Sequence, residues 1–573
     1  MCFIVEKMNK TIIFFKGCSN KFYFSLGINV LFLIFFNLMF YSRYHTVDDV
    51  FMEMIACGAF GKPDPHLAFM NSILGYGLAS LYSLFGSIPW YGIMHFFFAF
   101  ASFTAIVYAF FNRKNNISKI LILVVIFIAS YEAYTKIQFT KTAAYLAVAG
   151  YVLIAYSFEI KNRTIIQTFG IVFLLLSFMV RPGMFFGSSA ICLGFILPKF
   201  FYFVKSFRNT EEKKSLIQLI LIGFCSLFLI IVSFAVDQHS YSSERWSYYK
   251  KYNDYRSQLY DNYYPPYSDF ENSYLEMGLT LEDCLLYSSG DMNDPELFNI
   301  EKMQEVINLQ TNKEISLDEF VMFVLRGYNT LFKQKSLATF TVVALFLLIL
   351  FVFASAFDIG KLFSLLFASF MAFIVFGYTY YMHGWFDRTT ISVMFALIVT
   401  MLYIMEPKNC VINKVLCWFV TILMLVGSLL IWSEYFKWNR QEWKNEHDTM
   451  HTYLNEIYED KEHLYISRVS FPMWKSYYTV YDAIRPNTMQ NYATYGDWMI
   501  NMPIYVDAMK EYDIVNPFKD IIDNEKAYLI GSLDNLEPII SYIQRHYNKD
   551  IEPVLVKTIG PYEAYLIKTN ASQ

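Results

Sequence analysis

Asp48 and Asp49 stand in the segment Tyr-Ser-Arg-Tyr-His-Thr-Val-Asp-Asp-Val, just past the first long apolar run of the chain, residues 22 to 41. An ionised carboxylate is strongly disfavoured in hydrocarbon, so the pair must sit in water, in a polar cavity or at headgroup level. There it could accept a proton from a hydroxyl nucleophile. The competing reading is solvation or capping of a helix end. His45, Asp49 and Glu53 are spaced by four, which puts all three on one face of a helix. That face could hold a metal or a tuned acid/base pair, and ordinary helix-surface pairing explains the spacing equally well. Arg181, Arg388, Lys141 and His383 stand at the ends of other apolar runs. Cations at such ends can snorkel to lipid headgroups.

Whatever positions these groups must be membrane-embedded. The 573 residues are 55% hydrophobic, 19% aromatic and only 17% charged, with mean hydropathy +0.32, far more apolar surface than one soluble core of this length buries. The expected fold class is an α-helical polytopic membrane protein. Fifty-seven Phe suit lipid-facing positions and 45 Tyr suit the interface. The eight Cys are scattered without a CxxC or a His/Cys cluster, so neither a disulfide framework nor a structural zinc site is expected. The net charge of −4 points to no partner, and no nucleic-acid role is expected.

The first run follows Lys7, Lys10, Lys16 and Lys21 like a signal sequence, but it has the length of a full span and no small-x-small cleavage site follows Tyr41. It reads as an uncleaved anchor. Further spans are expected at 89 to 111, 117 to 131, 143 to 158, 164 to 180, 183 to 198, 215 to 236, 336 to 357, 362 to 382, 389 to 406 and 415 to 433, about 11 in all. Alternate short loops then separate by charge. Arg43, Lys62, Lys136, Lys141, Arg181 and Arg388 fall on one side, and a larger set running from Lys7 to Lys414 falls on the other. The positive-inside rule makes the richer side cytoplasmic, so the N-terminus is inside and Asp48 and Asp49 face out.

Residues 66 to 86, with three Gly and interleaved Ser, Asn and Tyr between Pro65 and Pro89, suit a helix at the outer interface better than a span. This makes the first outer loop long, 42 to 88. A second outer loop, 237 to 335, is polar yet too aromatic to be disordered. The part from 1 to 433 is thus a transmembrane module. From 434 to 573, strand-like runs at 463 to 467, 527 to 531, 553 to 558 and 563 to 568 alternate with helical patterns at 434 to 459 and 534 to 547. A small extracytoplasmic α/β domain is expected there, without any GxGxxG, P-loop or GxSxG.

This layout, with an acidic pair after the first span and a C-terminal outer domain, resembles the GT-C superfamily of integral-membrane glycosyltransferases. Gly-Lys-Pro-Asp-Pro-His-Leu-Ala-Phe-Met-Asn (61 to 71), Phe-Met-Val-Arg-Pro-Gly (178 to 183) and Gly-Trp-Phe-Asp-Arg (384 to 388) are similar to segments of bacterial surface-polysaccharide membrane proteins. The resemblance implies transfer of a sugar from a polyprenyl-phosphate donor to a glycan or lipid-linked acceptor at the outer face of the bacterial plasma membrane. Asp48 or Asp49 would be the base, and Arg181, Arg388, Lys141 and His383 would hold the donor phosphate. His45, Glu53, His66 and Trp385 become candidate substrate contacts. Trp246, Tyr249, Tyr252 and Trp498 could stack on sugar faces or simply fill a core. Glu132 reads as an interfacial carboxylate. No residue is assigned as a metal ligand, and a divalent cation (Mg or Mn) stays open. A polysaccharide polymerase or ligase, or a transporter, is the alternative, although no inverted repeat stands out.

Overall fold

The structure is a computed structural model that describes residues 2–113, 116–160, 163–310, 318, 321–322, 325–327, 329–330, 343–350, 358–383, 386–405, 411–437, 440–468 and 479–570. Among these residues, eight helices are long and apolar enough to cross a membrane. They lie within α1 (Cys2–Met39), α4 (Trp90–Asn112), α5 (Asn116–Thr135), α6 (Phe139–Ser157), α8 (Pro182–Lys205), α9 (Thr210–Ser240), α14 (Ile359–His383) and α15 (Asp387–Ile404). Apolar stretches of α3 (Ser72–Leu84), α7 (Thr164–Val180) and α16 (Val411–Lys437) are shorter. The expected span at 336 to 357 falls largely outside the described residues. The remaining elements named below are β1 (Arg43–Tyr44), α2 (Val47–Cys57), β2 (Lys136–Ile137), α10 (Glu244–Arg256), α11 (Glu271–Glu276), α12 (Leu281–Ser288), α13 (Ile300–Gln310) and α17 (Arg440–Glu459).

α6 is the bundle's centre, buried along nearly its whole length and packed by α4, α7, α8 and α15. Small residues let neighbours close in on it. A side chain at Gly150 would meet the Gly170 carbonyl of α7 at 2.9 Å, the close approach expected where lipid supplies no hydrophobic drive between helices. The helix begins four residues earlier than the apolar run suggests, because Gln138 caps it and accepts hydrogen bonds from the Thr140 and Lys141 amides.

The loop from 42 to 88 folds into the protein rather than over it. β1 pairs in parallel with β2, Arg43 opposite Lys136 and Tyr44 opposite Ile137, which fixes the loop at the end of α5. α2 follows, buried from Asp49 to Cys57, and closes on Gly58 in the left-handed region with its amide bonded back to the last turn. α3 starts at the Asn71 cap, whose side-chain amide donates to the Ser233 carbonyl of α9. This helix packs against α9, α2 and α4.

The long loop that begins at 237 forms α10 to α13 as far as residue 310. The C-terminal segment carries β3 (Leu464–Ser467), β4 (Tyr492–Thr494), α18 (Pro503–Lys510), β5 (Ala527–Gly531), α19 (Leu533–His546), β6 (Ile551–Ile559) and β7 (Tyr562–Thr569). Its sheet has the order β4-β3-β5-β7-β6, parallel across the first three strands and antiparallel in the last two pairings. Sheet and loop share one core. The Asp294 carboxylate accepts hydrogen bonds from Tyr542, Tyr547 and Asn516, and Asp283 takes Arg545 and His546. Tyr249 and Tyr252 are fully buried in this seam and donate to the Trp498 and Met292 carbonyls.

Candidate functional site

A cavity of about 1120 Å³ opens where the N-terminal ends of α2 and α8 meet the C-terminal half of α14, the start of α15, the end of α10 and the C-terminal segment. Its charged lining is Asp48, Arg181, Arg256, Asp261, Asp291, Arg388, Arg468 and Asp497. Residues more than four hundred positions apart in the chain meet here. Asp48 stands at the first turn of α2, where the helix dipole favours an anion. Its Oδ1 accepts from the Trp498 indole at 3.2 Å, and its Oδ2 lies 3.9 Å from the Arg388 guanidinium. Arg181 precedes Pro182 at the first helical position of α8, so the end of the extended link aims its side chain at the cavity.

The four guanidinium groups are not equivalent. Arg256 is paired with Asp261 at 3.0 Å, and Arg468 with Asp291 at 2.8 Å. Among the described residues Arg181 has no salt-bridge partner and rests between the rings of Phe69 and Phe139, 5.2 and 5.4 Å away. Burial and then the neighbouring Arg388 hold it down to about 10, so it stays charged at neutral pH. With Asp48 set against Arg388, the uncompensated positive charge of this wall is Arg181. An anionic group entering the cavity would meet Arg181 and Arg388 together.

Asp497 is the other carboxylate that matters. Burial first, and then the charge of Asp48, push it up to about 7. Its backbone is in the positive-φ region, and its carboxylate accepts from the next amide, that of Trp498. The turn beside it is tight, since a side chain at Gly496 would stand 2.8 Å from the Gly290 carbonyl. Two backbones therefore touch at the cavity wall.

The structure separates the candidate residues. Asp48, Arg181 and Arg388 line the cavity together, with Trp498. Asp49 turns the opposite way, into the core, where it accepts hydrogen bonds from Thr46, Tyr91 and the Phe139 amide at 2.7, 3.0 and 3.1 Å. Burial pushes it up to about 7. Glu53, one turn on, is equally buried, takes the Tyr82 hydroxyl at 2.8 Å, and is pushed up to about 8, mainly by burial. His45 precedes α2 and is half-buried near the Lys141–Glu132 pair, its ring held well below the usual histidine range by burial and by Lys141. Lys141 is spent on Glu132, 2.8 Å away in a fully enclosed pair. His66 ties the first loop to α9, bridging Asp64 at 2.7 Å and the Ser240 hydroxyl at 2.9 Å while stacking on Trp246. Asp49, Lys141, His45, Glu53 and His66 thus lie outside the cavity lining. Trp385 and the His383 side chain lie outside the described residues.

Arg256, Asp261, Asp291, Arg468 and Asp497 complete the lining without any local signal in the sequence. They lie in soluble segments where charges are ordinary, and only the seam between the second loop and the sheet turns them inward. The one available hint was Trp498, an aromatic fit for a planar ligand face. No protein-family model matches this chain, and no curated protein is significantly similar to it.

Proposed function

We propose that this chain is a GT-C-like membrane glycosyltransferase that moves a sugar from a polyprenyl-phosphate donor to a hydroxyl of a glycan or lipid-linked acceptor. The observation that carries the reading is a carboxylate, Asp48, that faces a large cavity within reach of Arg388 and on the same wall as Arg181. In this reading about 11 spans set the N-terminus in the cytoplasm of a bacterium, and the cavity opens at the outer face of the plasma membrane. The 434 to 573 segment forms an extracytoplasmic domain that helps hold the acceptor.

Asp48 accepts the proton of the acceptor hydroxyl as that oxygen attacks the anomeric carbon. The bond from that carbon to the phosphate oxygen breaks, and its electron pair leaves with the polyprenyl phosphate. Arg181 and Arg388 hold the departing charge, with the planar fork that suits a phosphate. A single base without a covalent intermediate inverts the anomeric centre. Trp498 fixes the Asp48 carboxylate through Oδ1 and leaves Oδ2 for the proton. Among the described residues the cavity carboxylates form no cluster that would hold a metal ion, so no step is assigned to Mg or Mn.

The test is transfer from a panel of synthetic polyprenyl-phosphate sugars by the purified protein in liposomes, with Asp48→Asn and Arg181→Gln beside the wild type. Transfer by the wild type, lost in both variants at unchanged thermal stability, supports the reading. A wild type inert with every donor, or an Asp48→Asn protein with full activity, overturns it. A polymerase or ligase acting on pyrophosphate-linked glycans, or a transporter, would then be the better account.

A further inference from the structure

Away from the cavity, α17 presents Trp443, His447 and His451 at a spacing of four, so the three share one face of the helix. That face lies over the residues that follow the first span. Arg43 covers the Trp443 ring at 3.8 Å, and Tyr41 stands edge-on to His447 at 6.2 Å. The C-terminal segment reaches the same place from the other side. After the bridge between Thr479 and Arg43, Asp482 turns its carboxylate back, accepting the Thr479 amide at 2.6 Å. Its Oδ2 lies 3.1 Å from His447 Nε2.

One donor atom each from His447, His451 and Asp482 lies within 4.8 Å of the other two. In tetrahedral zinc coordination at roughly 2.0 to 2.2 Å, neighbouring ligand atoms stand about 3.4 Å apart. Small side-chain rotations close the difference. Two further features favour a metal over a simple ion pair. Two imidazoles one turn apart on a helix converge on the same carboxylate, which is a costly juxtaposition for two protonated rings and a favourable one for two neutral ligands. The far nitrogen of His447, Nδ1, is 3.1 Å from Asp448 Oδ1, the carboxylate contact that orients a metal-bound histidine and raises its basicity. The residues are half-buried, so an ion has both an entry path and a partly dry seat.

We propose that His447, His451 and Asp482 form a binding site for a divalent transition metal of the zinc type, with a fourth position open to water. None of the three lines the cavity. The site's consequence is mechanical, because it joins α17 to the 479 to 482 turn. The neighbouring Val480 carbonyl packs so closely on α4 that a side chain at Gly92 would meet it at 2.6 Å, and the Tyr481 hydroxyl donates to Asn37 of α1. A metal here would fix α17 to the turn that seats the C-terminal segment, which delivers Asp497 and Trp498, against the first two long helices of the bundle.

The test uses the full chain in detergent micelles, stripped with a chelator and titrated with zinc ion alone by calorimetry, then with cobalt(II) by visible absorption. One saturable zinc per chain, a cobalt ligand-field band that excess zinc removes, and a rise in Tm with zinc are expected. His451→Gln and Asp482→Asn should each weaken zinc binding at least tenfold, whereas His463→Gln, a histidine held by Asp460 elsewhere, should not. The proposal is overturned by the absence of saturable binding in the wild type, or by equal affinity in His451→Gln and Asp482→Asn. If either variant fails to fold, the wild-type cobalt spectrum decides, since absence of the band removes imidazole coordination.

Discussion

Asp48 and Asp49 are adjacent in the chain and belong to opposite regions of the molecule. Around Asp48 the charges are exposed to a large cavity and incompletely matched, with Arg388 at 3.9 Å and Arg181 lacking a carboxylate partner among the described residues. Around Asp49 they are sealed. Three donors converge on its carboxylate, and Glu132 closes on Lys141 a few residues from the amide that Asp49 accepts. Successive residues on a helix point about 100° apart, so a single residue step along α2 separates a wall that can bind from a knot that can only hold. Incomplete satisfaction next to a cavity marks the region able to take a ligand. A carboxylate enclosed by three donors, like that of Asp49, marks a region built to hold its neighbours.

That contrast can be broken most sharply at Asp48. Asp48→Asn keeps the Trp498 contact and removes only the base, so sugar transfer should fall by about 10²- to 10⁴-fold while Tm is unchanged. A parallel loss of Tm would move Asp48 into the structural region. Next in size is Lys141→Met, which strands Glu132 in an enclosed site and should cost about 3 to 5 kcal/mol, read as a lowered Tm in detergent. Stability equal to wild type would mean that Glu132 is already neutral. Smaller again, Asp49→Ala leaves the Tyr91 hydroxyl and the Phe139 amide without their acceptor and should cost roughly 1 to 3 kcal/mol, with transfer per folded molecule far less affected than in Asp48→Asn. Should Asp49→Ala abolish transfer without loss of stability, the two neighbours would have to exchange roles.

Glu53 adds a pH dependence. Glu53 is raised from 4.5 to about 8 in the folded protein, mainly by burial. The folded state therefore holds a proton that the unfolded chain releases, and this group's contribution to stability is fully present below pH 4.5 and lost as pH rises through about 8. The Tm of the wild type should drift downward over that window, and Glu53→Gln, which retains an acceptor for Tyr82, should flatten the curve. Identical curves would show that Glu53 is charged in both states.

The strands at 463 to 467 and 527 to 531 were legible because short β-branched and aromatic runs between turn residues have few alternatives. β4 was not, since three residues carry no period and depend on β3 for their geometry. The helical spacing held for Asp49 and Glu53 but not for His45, which precedes α2 and gives its amide to the Ile137 carbonyl, and spacing cannot say which way a face points. Here it points inward, because Tyr82, Tyr91 and the end of α6 close over it.

The apolar runs alone determined that this is a helical membrane protein with acidic and basic groups at the helix ends, because hydrocarbon tolerates neither broken backbone nor stray charge. Only the tertiary structure decided which of those charges meet. Asp48 joins Arg181, Arg388, Asp497 and Trp498 through loops hundreds of residues apart, and Asp49 does not. The physical reason is that the pairing of a charge depends on which donors surround it in space, and chain neighbours share an address without sharing a neighbourhood.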